Sequence, residues 1–215
     1  MTSIHPRTSA GPVPRVAIID TGVNARHSHV GGRVAGCRLF VDAAGRILED
    51  RDFSDPVGHG TAVAGIVREG LPDAEMFAVR VFDGTTSYPS LVARGILRAA
   101  AEGCGVLNLS LSVADGPGCD LVAAACEAAV EAGCLLVAAG ETTTRAALPA
   151  SLPQVVSAVV DDSLAFGEVR EIGSRHFAAP GRPRDLRGLP RAANLWGPSF
   201  ACARVAVHLA RLHAE

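Results

Sequence analysis

Residues 105–111 read GVLNLSL, residues 120–133 read DLVAAACEAAVEAG and residues 134–140 read CLLVAAG, and these three pieces decide the fold. The outer two are short apolar runs without polar alternation, the pattern of strands covered on both faces. Between them Asp120 is placed to cap a helix over Leu121–Ala132, and Gly133 stands where a helix-ending glycine belongs. Strand, helix, strand at this spacing is the repeating unit of a parallel sheet. Working outward, strand-like runs lie at Arg15–Ile19, Gly36–Val41, Met76–Phe82 and Val155–Val160, beside those at Gly105–Leu111 and Leu135–Ala139. A further helix is expected over Leu91–Glu102, capped by Ser90 and closed by Gly103. From Asp161 to Gly197 the text is rich in Gly, Pro and Arg, so loops and short strands are expected there. The expected class is α/β, with three layers: a mainly parallel central sheet flanked by helices. Residues 1–14 read as a flexible N-terminal segment and 15–215 as a single domain.

With 48% hydrophobic and 20% charged residues, the chain has the profile of a protein built around a core. Its formal charge of −2 sets up no strong field for nucleic acid or an anionic membrane, so neither is an expected partner. No apolar run reaches the ~18–20 residues that cross a bilayer, and residues 1–14 lack the apolar core of a secretory signal. A cytoplasmic location is therefore expected, with no membrane insertion. The six cysteines are scattered without a CxxC pair and read as small core residues, and no carboxylate cluster suggests calcium. No metal or cofactor is expected to be needed. Neither GxGxxG nor GxxxxGK[ST] occurs, which removes the usual nucleotide-binding readings.

Three segments carry chemistry. The first strand ends in Ile19-Asp20-Thr21-Gly22, which puts a carboxylate at the edge where open α/β sheets place their sites. Taken alone, Asp20 reads first as a turn residue making hydrogen bonds before glycine. Residues 58–67, GHGTAVAGIV, open a helix with His59 held between two glycines. Residues 197–206, GPSFACARVA, open another, with Pro198 suited to the first turn and Ser199 next to it. A serine there sits among free N–H groups at the positive end of the helix.

In chain order the three read Asp, His, Ser at 20, 59 and 199, and the surrounding words DTG, GHGTxVAG and GxSxA resemble the signatures of the subtilisin-like serine protease family. Further agreement lies in His27, in Asn108-Leu109-Ser110-Leu111, in Leu148-Pro149-Ala150, in residues 152–161 and in Phe177-Ala178-Ala179-Pro180-Gly181. The resemblance implies a subtilisin-like fold and a serine endopeptidase. Ser199 would be the nucleophile, His59 the general base and acid, and Asp20 the group that orients the imidazole. It also implies that Ser110, Leu111, Ser112, Ala139 and Gly140 flank the bound substrate, with the Ser199 N–H donating to the oxyanion. The second oxyanion donor is usually an Asn, and this chain has Glu141. An ionised Glu cannot donate, whereas a protonated one can. Losing such a donor costs roughly 10²–10³ in kcat. An active enzyme with protonated Glu141, a slow one using backbone donors and an inactive relative all remain open on the sequence. Pro198 stands where the family usually has Thr, and Ser112-Val113 where it has small glycines, a change expected to crowd the cleft. Cys202 is expected to be packing.

Nineteen residues precede Asp20, too few for a signal and a folding prodomain, so a minimal intracellular version is expected. That resembles members that remove a leader from one dedicated peptide or small-subunit precursor, such as the processing protease of quinohemoprotein amine dehydrogenase biogenesis and leader proteases of peptide natural products. A catalytically silent scaffold that binds a peptide is the rival reading. Oligomeric state is not legible.

Overall fold

In a computed structural model the described residues are 14–140 and 147–214. Glu141, and all but the last residue of the 1–14 segment, lie outside them. Nine strands form one sheet among the described residues: β1 Val16–Asp20, β2 Val34–Val41, β3 Ile47–Asp50, β4 Met76–Arg80, β5 Val106–Leu109, β6 Leu135–Ala139, β7 Val156–Val160, β8 Arg170–Gly173 and β9 His176–Ala179. The helices are α1 His59–Gly70, α2 Pro89–Ala101, α3 Cys119–Glu131 and α4 Pro198–Ala214. Strand order is β3-β2-β4-β1-β5-β6-β7-β9-β8. All pairings are parallel except those of β3 and β8, the two edge strands. The expected α/β class, with its mainly parallel sheet between helical layers, is the one observed.

Period-two alternation along the central strands sorts their side chains into two cores. Val16, Ile18, Met76, Ala78, Val106 and Val137 pack with α1 and α4. Ala17, Ile19, Phe77, Val79, Leu107 and Leu136 pack with α2 and α3. This parity positions the site. Asp20 follows Val16 and Ile18 onto the α1/α4 side, and Asn108 follows Val106 onto the same side.

Chain order runs β4 to one side of β1 and β5 to the other, which makes the carboxyl ends of β1 and β5 the switch point of the sheet. Ligands of open α/β sheets bind at such a crevice. No described helix is long and apolar enough to cross a membrane.

Two capping expectations are corrected. Helix α2 begins at Pro89 behind Tyr88, so Ser90 lies inside the first turn; the fixed φ of proline starts the helix two residues earlier. Helix α3 begins at Cys119 behind a left-handed Gly118, which leaves Asp120 in the first turn as a carboxylate facing the positive end of the helix dipole. The closing glycines are as expected, with φ +74° at Gly103 and +89° at Gly133. Strand β3 went unforeseen because its residues Ile47–Asp50 are mostly exposed and its partner β2 shields only one side.

Candidate active site

Asp20 is the last residue of β1 and 1% exposed, and His59 is the first residue of α1. His59 Nδ1 lies 2.7 Å from Asp20 Oδ1. The approach depends on Gly60: a Cβ there would sit 2.2 Å from the Gly22 carbonyl oxygen and 3.0 Å from Asp20 Oδ1. Any side chain would push the first turn of α1 off the end of β1. The same Asp20 oxygen accepts from the Thr21 N–H at 2.7 Å, while Oδ2 is buried without a partner among the described residues.

Burial opposes protonation of His59, yet the hydrogen bond and charge of Asp20, joined by the charge of Asp55, hold its pKa above the ordinary value. Asp55 was not foreseen. Its Oδ1 accepts from the Thr21 hydroxyl at 2.8 Å and from the N–H groups of Val57 and Gly58; its Oδ2 accepts from the N–H and hydroxyl of Thr61. The Thr21 hydroxyl in turn accepts from the Gly60 N–H at 3.0 Å. One carboxylate thus ties the end of β1 to the start of α1, and these bonds hold its pKa below the usual value against the effect of burial. The available signal was an Asp shortly before Val57-Gly58, the local pattern of an Asx turn.

Asp55→Asn supplies one acceptor where five donors converge. The expected result is a loss of about 2–4 kcal/mol in stability from stranded donors. A fall of roughly 10- to 100-fold in kcat is expected with little change in KM, because a misplaced base costs that much without touching substrate. With the Asp55 charge gone, the acid limb of the kcat profile moves to lower pH. Chemical denaturation and pH–rate profiles check both.

Ser199 is the second residue of α4, so its N–H has no intrahelical acceptor. Its hydroxyl donates to the Ser110 carbonyl at 3.1 Å, while the Ser110 hydroxyl donates to the Ser199 carbonyl at 2.9 Å. Ser110 is held from below by Asn108, which is fully buried and donates to the Ser110 hydroxyl at 2.8 Å. Cys202 completes the network: burial pushes its thiol up to about 12, and the S–H reaches Asn108 Oδ1 at 3.2 Å. Its part is therefore more specific than packing. The Phe200 ring lies 5.4 Å from the imidazole of His59, which brings the start of α4 beside the start of α1.

A cavity of about 250 Å³ opens here, lined by Asp20, Thr21, Val57, His59, Phe82, Thr85 and Ser110. Of the other sequence-derived positions, Leu111 is 6% exposed and packed into the α2/α3 core, so its side chain is turned away from the cleft. Ser112 is exposed. Val113 is buried, with its N–H donating to the Leu148 carbonyl at 2.7 Å; its bulk is taken up by the core and the expected crowding narrows to Ser112. Ala139 ends β6, and Gly140 donates to the Ala158 carbonyl at 2.8 Å. Among the described residues no group of three or more metal-ligating side chains assembles.

Residues 11–215 match the model of the Subtilase family. Thermitase of Thermoactinomyces vulgaris is 37% identical over 112 residues, covering 47% of this chain and 38% of its own length. The chain spans less than half the length of thermitase, of an alkaline protease of Emericella nidulans and of subtilisin NAT of Bacillus subtilis subsp. natto. Among solved structures, a cold adapted subtilisin-like serine proteinase superposes with a TM-score of 0.70 at 25% identity, covering 97% of this chain and 77% of that one. An epidermin leader peptide processing serine protease from Staphylococcus aureus shares the fold with a TM-score of 0.70 at 18% identity, over 96% of this chain and 66% of that one.

Proposed function

Because this chain belongs to the Subtilase family, we propose that it is a serine endopeptidase whose Asp20, His59 and Ser199 form a catalytic relay. The observation that carries the reading is the 2.7 Å contact between His59 Nδ1 and Asp20 Oδ1, with the start of α4 brought alongside. Asp20 fixes the tautomer that carries its proton on Nδ1, which leaves Nε2 as the base. In the free protein the Ser199 hydroxyl rests on the Ser110 carbonyl. Attack requires rotation about the Cα–Cβ bond so that the proton passes to Nε2 as the Ser199–acyl bond forms. The imidazolium then returns that proton to the leaving amine, and water hydrolyses the ester by the same route in reverse.

Developing negative charge on the substrate oxygen is met by the Ser199 N–H at the positive end of α4. Protonated Glu141 supplies the second donor; this part of the proposal rests on the sequence, since Glu141 lies outside the described residues. Cleavage should then fall with rising pH more steeply in the wild type than in Glu141→Gln, which donates at every pH. Superimposable alkaline limbs in stopped assays across the pH range refute the role.

We further propose a selective processing role, the removal of a leader from a dedicated peptide or small-subunit precursor, as in the maturation of quinohemoprotein amine dehydrogenase. Support comes from the departure at Glu141, from exposed Ser112 at the cleft edge and from the shared fold with a protein described as processing a leader peptide. The test is intact-mass analysis of candidate precursors after incubation with wild type and Ser199→Ala. A single cut made by the wild type alone supports the reading. Cleavage by neither favours a peptide-binding scaffold, and cleavage by both overturns the assignment of the nucleophile.

A further inference from the structure

Far along α4 from Ser199 a second cavity, about 220 Å³, lies between α1, α4 and the turn that carries Phe166. Its walls include Ile66, Glu69 and Gly70 of α1, Arg204, Val207 and Arg211 of α4, and Phe166. The charges around it can be paired off. Glu69 is engaged by Arg184, Nε to Oε1, at 3.2 Å. Arg211 donates through Nε to the Gly70 carbonyl at 3.0 Å, so its charge answers the negative end of the α1 dipole.

Arg204 is left over. It is 5% exposed, and among the described residues no carboxylate lies within ion-pair distance of it. Of its five N–H donors, Nη2 meets the Arg182 carbonyl at 2.7 Å, and buried Nε has no acceptor among the described residues. The Phe166 ring covers the guanidinium at 3.9 Å from its centroid, and Phe166 is itself 47% exposed. Burial pulls the Arg204 pKa down to about 10, with the Arg191 charge adding to the effect and Glu69 opposing it, so the group is still cationic at neutral pH.

A buried cation without a counter-charge is costly, and its natural complement is an anion that comes from outside. We propose that this cavity binds a small organic carboxylate, gripped by the Arg204 guanidinium and covered on its apolar side by Phe166, Ile66 and Val207. A planar carboxylate matches the fork geometry of arginine. The volume lies below the ~300–1,000 Å³ typical of sites for drug-sized ligands, which fits a compact acid. The source is either a free acid or the carboxyl terminus of a peptide, and the chemistry is common to both.

The experiment is thermal unfolding of the full chain with sodium benzoate, N-acetyl-leucine, neutral benzamide and sodium chloride at matched ionic strength. A saturable rise in Tm of about 3–6 °C at ten times Kd is expected with at least one carboxylate and none with benzamide or chloride. The tighter of the two acids identifies the source. Arg204→Met abolishes the response. Phe166→Ala, which removes an exposed ring from outside the core, weakens it several-fold and serves if the first variant does not fold. The absence of a saturable shift in the wild type, an equal shift with benzamide, or an undiminished shift in the variants overturns the proposal.

Discussion

Ser199→Ala is expected to lower kcat for peptide cleavage by about 10⁶, the scale of loss for the same constellation in subtilisin, while precursor binding persists. In the proposed relay the missing oxygen is the bond-forming atom, and neither polar neighbour replaces it. The Ser110 hydroxyl is committed to the Ser199 carbonyl at 2.9 Å, and the Cys202 thiol is fully buried with its pKa pushed up to about 12. Neither can attack in place of Ser199. The structural cost is small: one hydroxyl that donates to the Ser110 carbonyl is lost, worth about 1 kcal/mol. Single-turnover cleavage and precursor binding measured on the same variant separate the two effects. Cleavage within tenfold of wild type would remove Ser199 from the chemistry.

Asp20→Asn carries the second largest effect, a fall of roughly 10³–10⁴ in kcat/KM. The geometry says which part of the loss dominates. Asp20 Oδ1 accepts from both His59 Nδ1 and the Thr21 N–H, so an asparagine keeps its amide oxygen there and its NH₂ takes the buried Oδ2 position. The tautomer of His59 is thereby kept, and the loss is chiefly that of the negative charge that stabilises the imidazolium. The stranded NH₂ costs about 1–3 kcal/mol in addition.

The sign with pH follows. Asp20 raises the His59 pKa through its hydrogen bond and charge, so its removal lets the pKa fall and the acid limb of the rate profile moves to lower pH. The same raised pKa means that the pair adds stability below the unfolded pKa of histidine, and this contribution fades as pH rises through the folded pKa. Asp20→Asn should therefore lose the charge-dependent part of its stability deficit relative to wild type in that upper window, while the cost of the stranded NH₂ persists. A pH–rate profile together with denaturation at two pH values checks both signs. An alkaline shift of the acid limb would contradict the account.

Both predictions start from residues that the linear text marks. Asp20, His59 and Ser199 stand out because each sits at an element boundary with an unusual local word around it: a strand end before Thr-Gly, a histidine between glycines, a serine behind a proline. Unbroken apolar runs separated by Ala-rich helical stretches likewise announce a parallel sheet between helices, since burial on both faces removes the need for polar alternation. Glu141 is legible in the same way, as a departure from the family's usual Asn at that position.

Side-chain partnerships are of another kind. His59 meets Asp20 across 39 positions, Ser199 rests on Ser110 across 89, and Cys202 reaches Asn108 across 94. Periodicity of two or of 3.6 specifies which way a residue faces within its own element and carries nothing about which remote group it will face. So the hub role of Asp55, the network that holds the serine, the withdrawal of Leu111 and Val113 into the core and the burial of the Arg204 charge away from any carboxylate among the described residues emerge only when the sheet order and the helix packing bring distant segments together. Local pattern is a property of short-range sterics and burial; hydrogen-bond partnership and charge balance are properties of the packed chain.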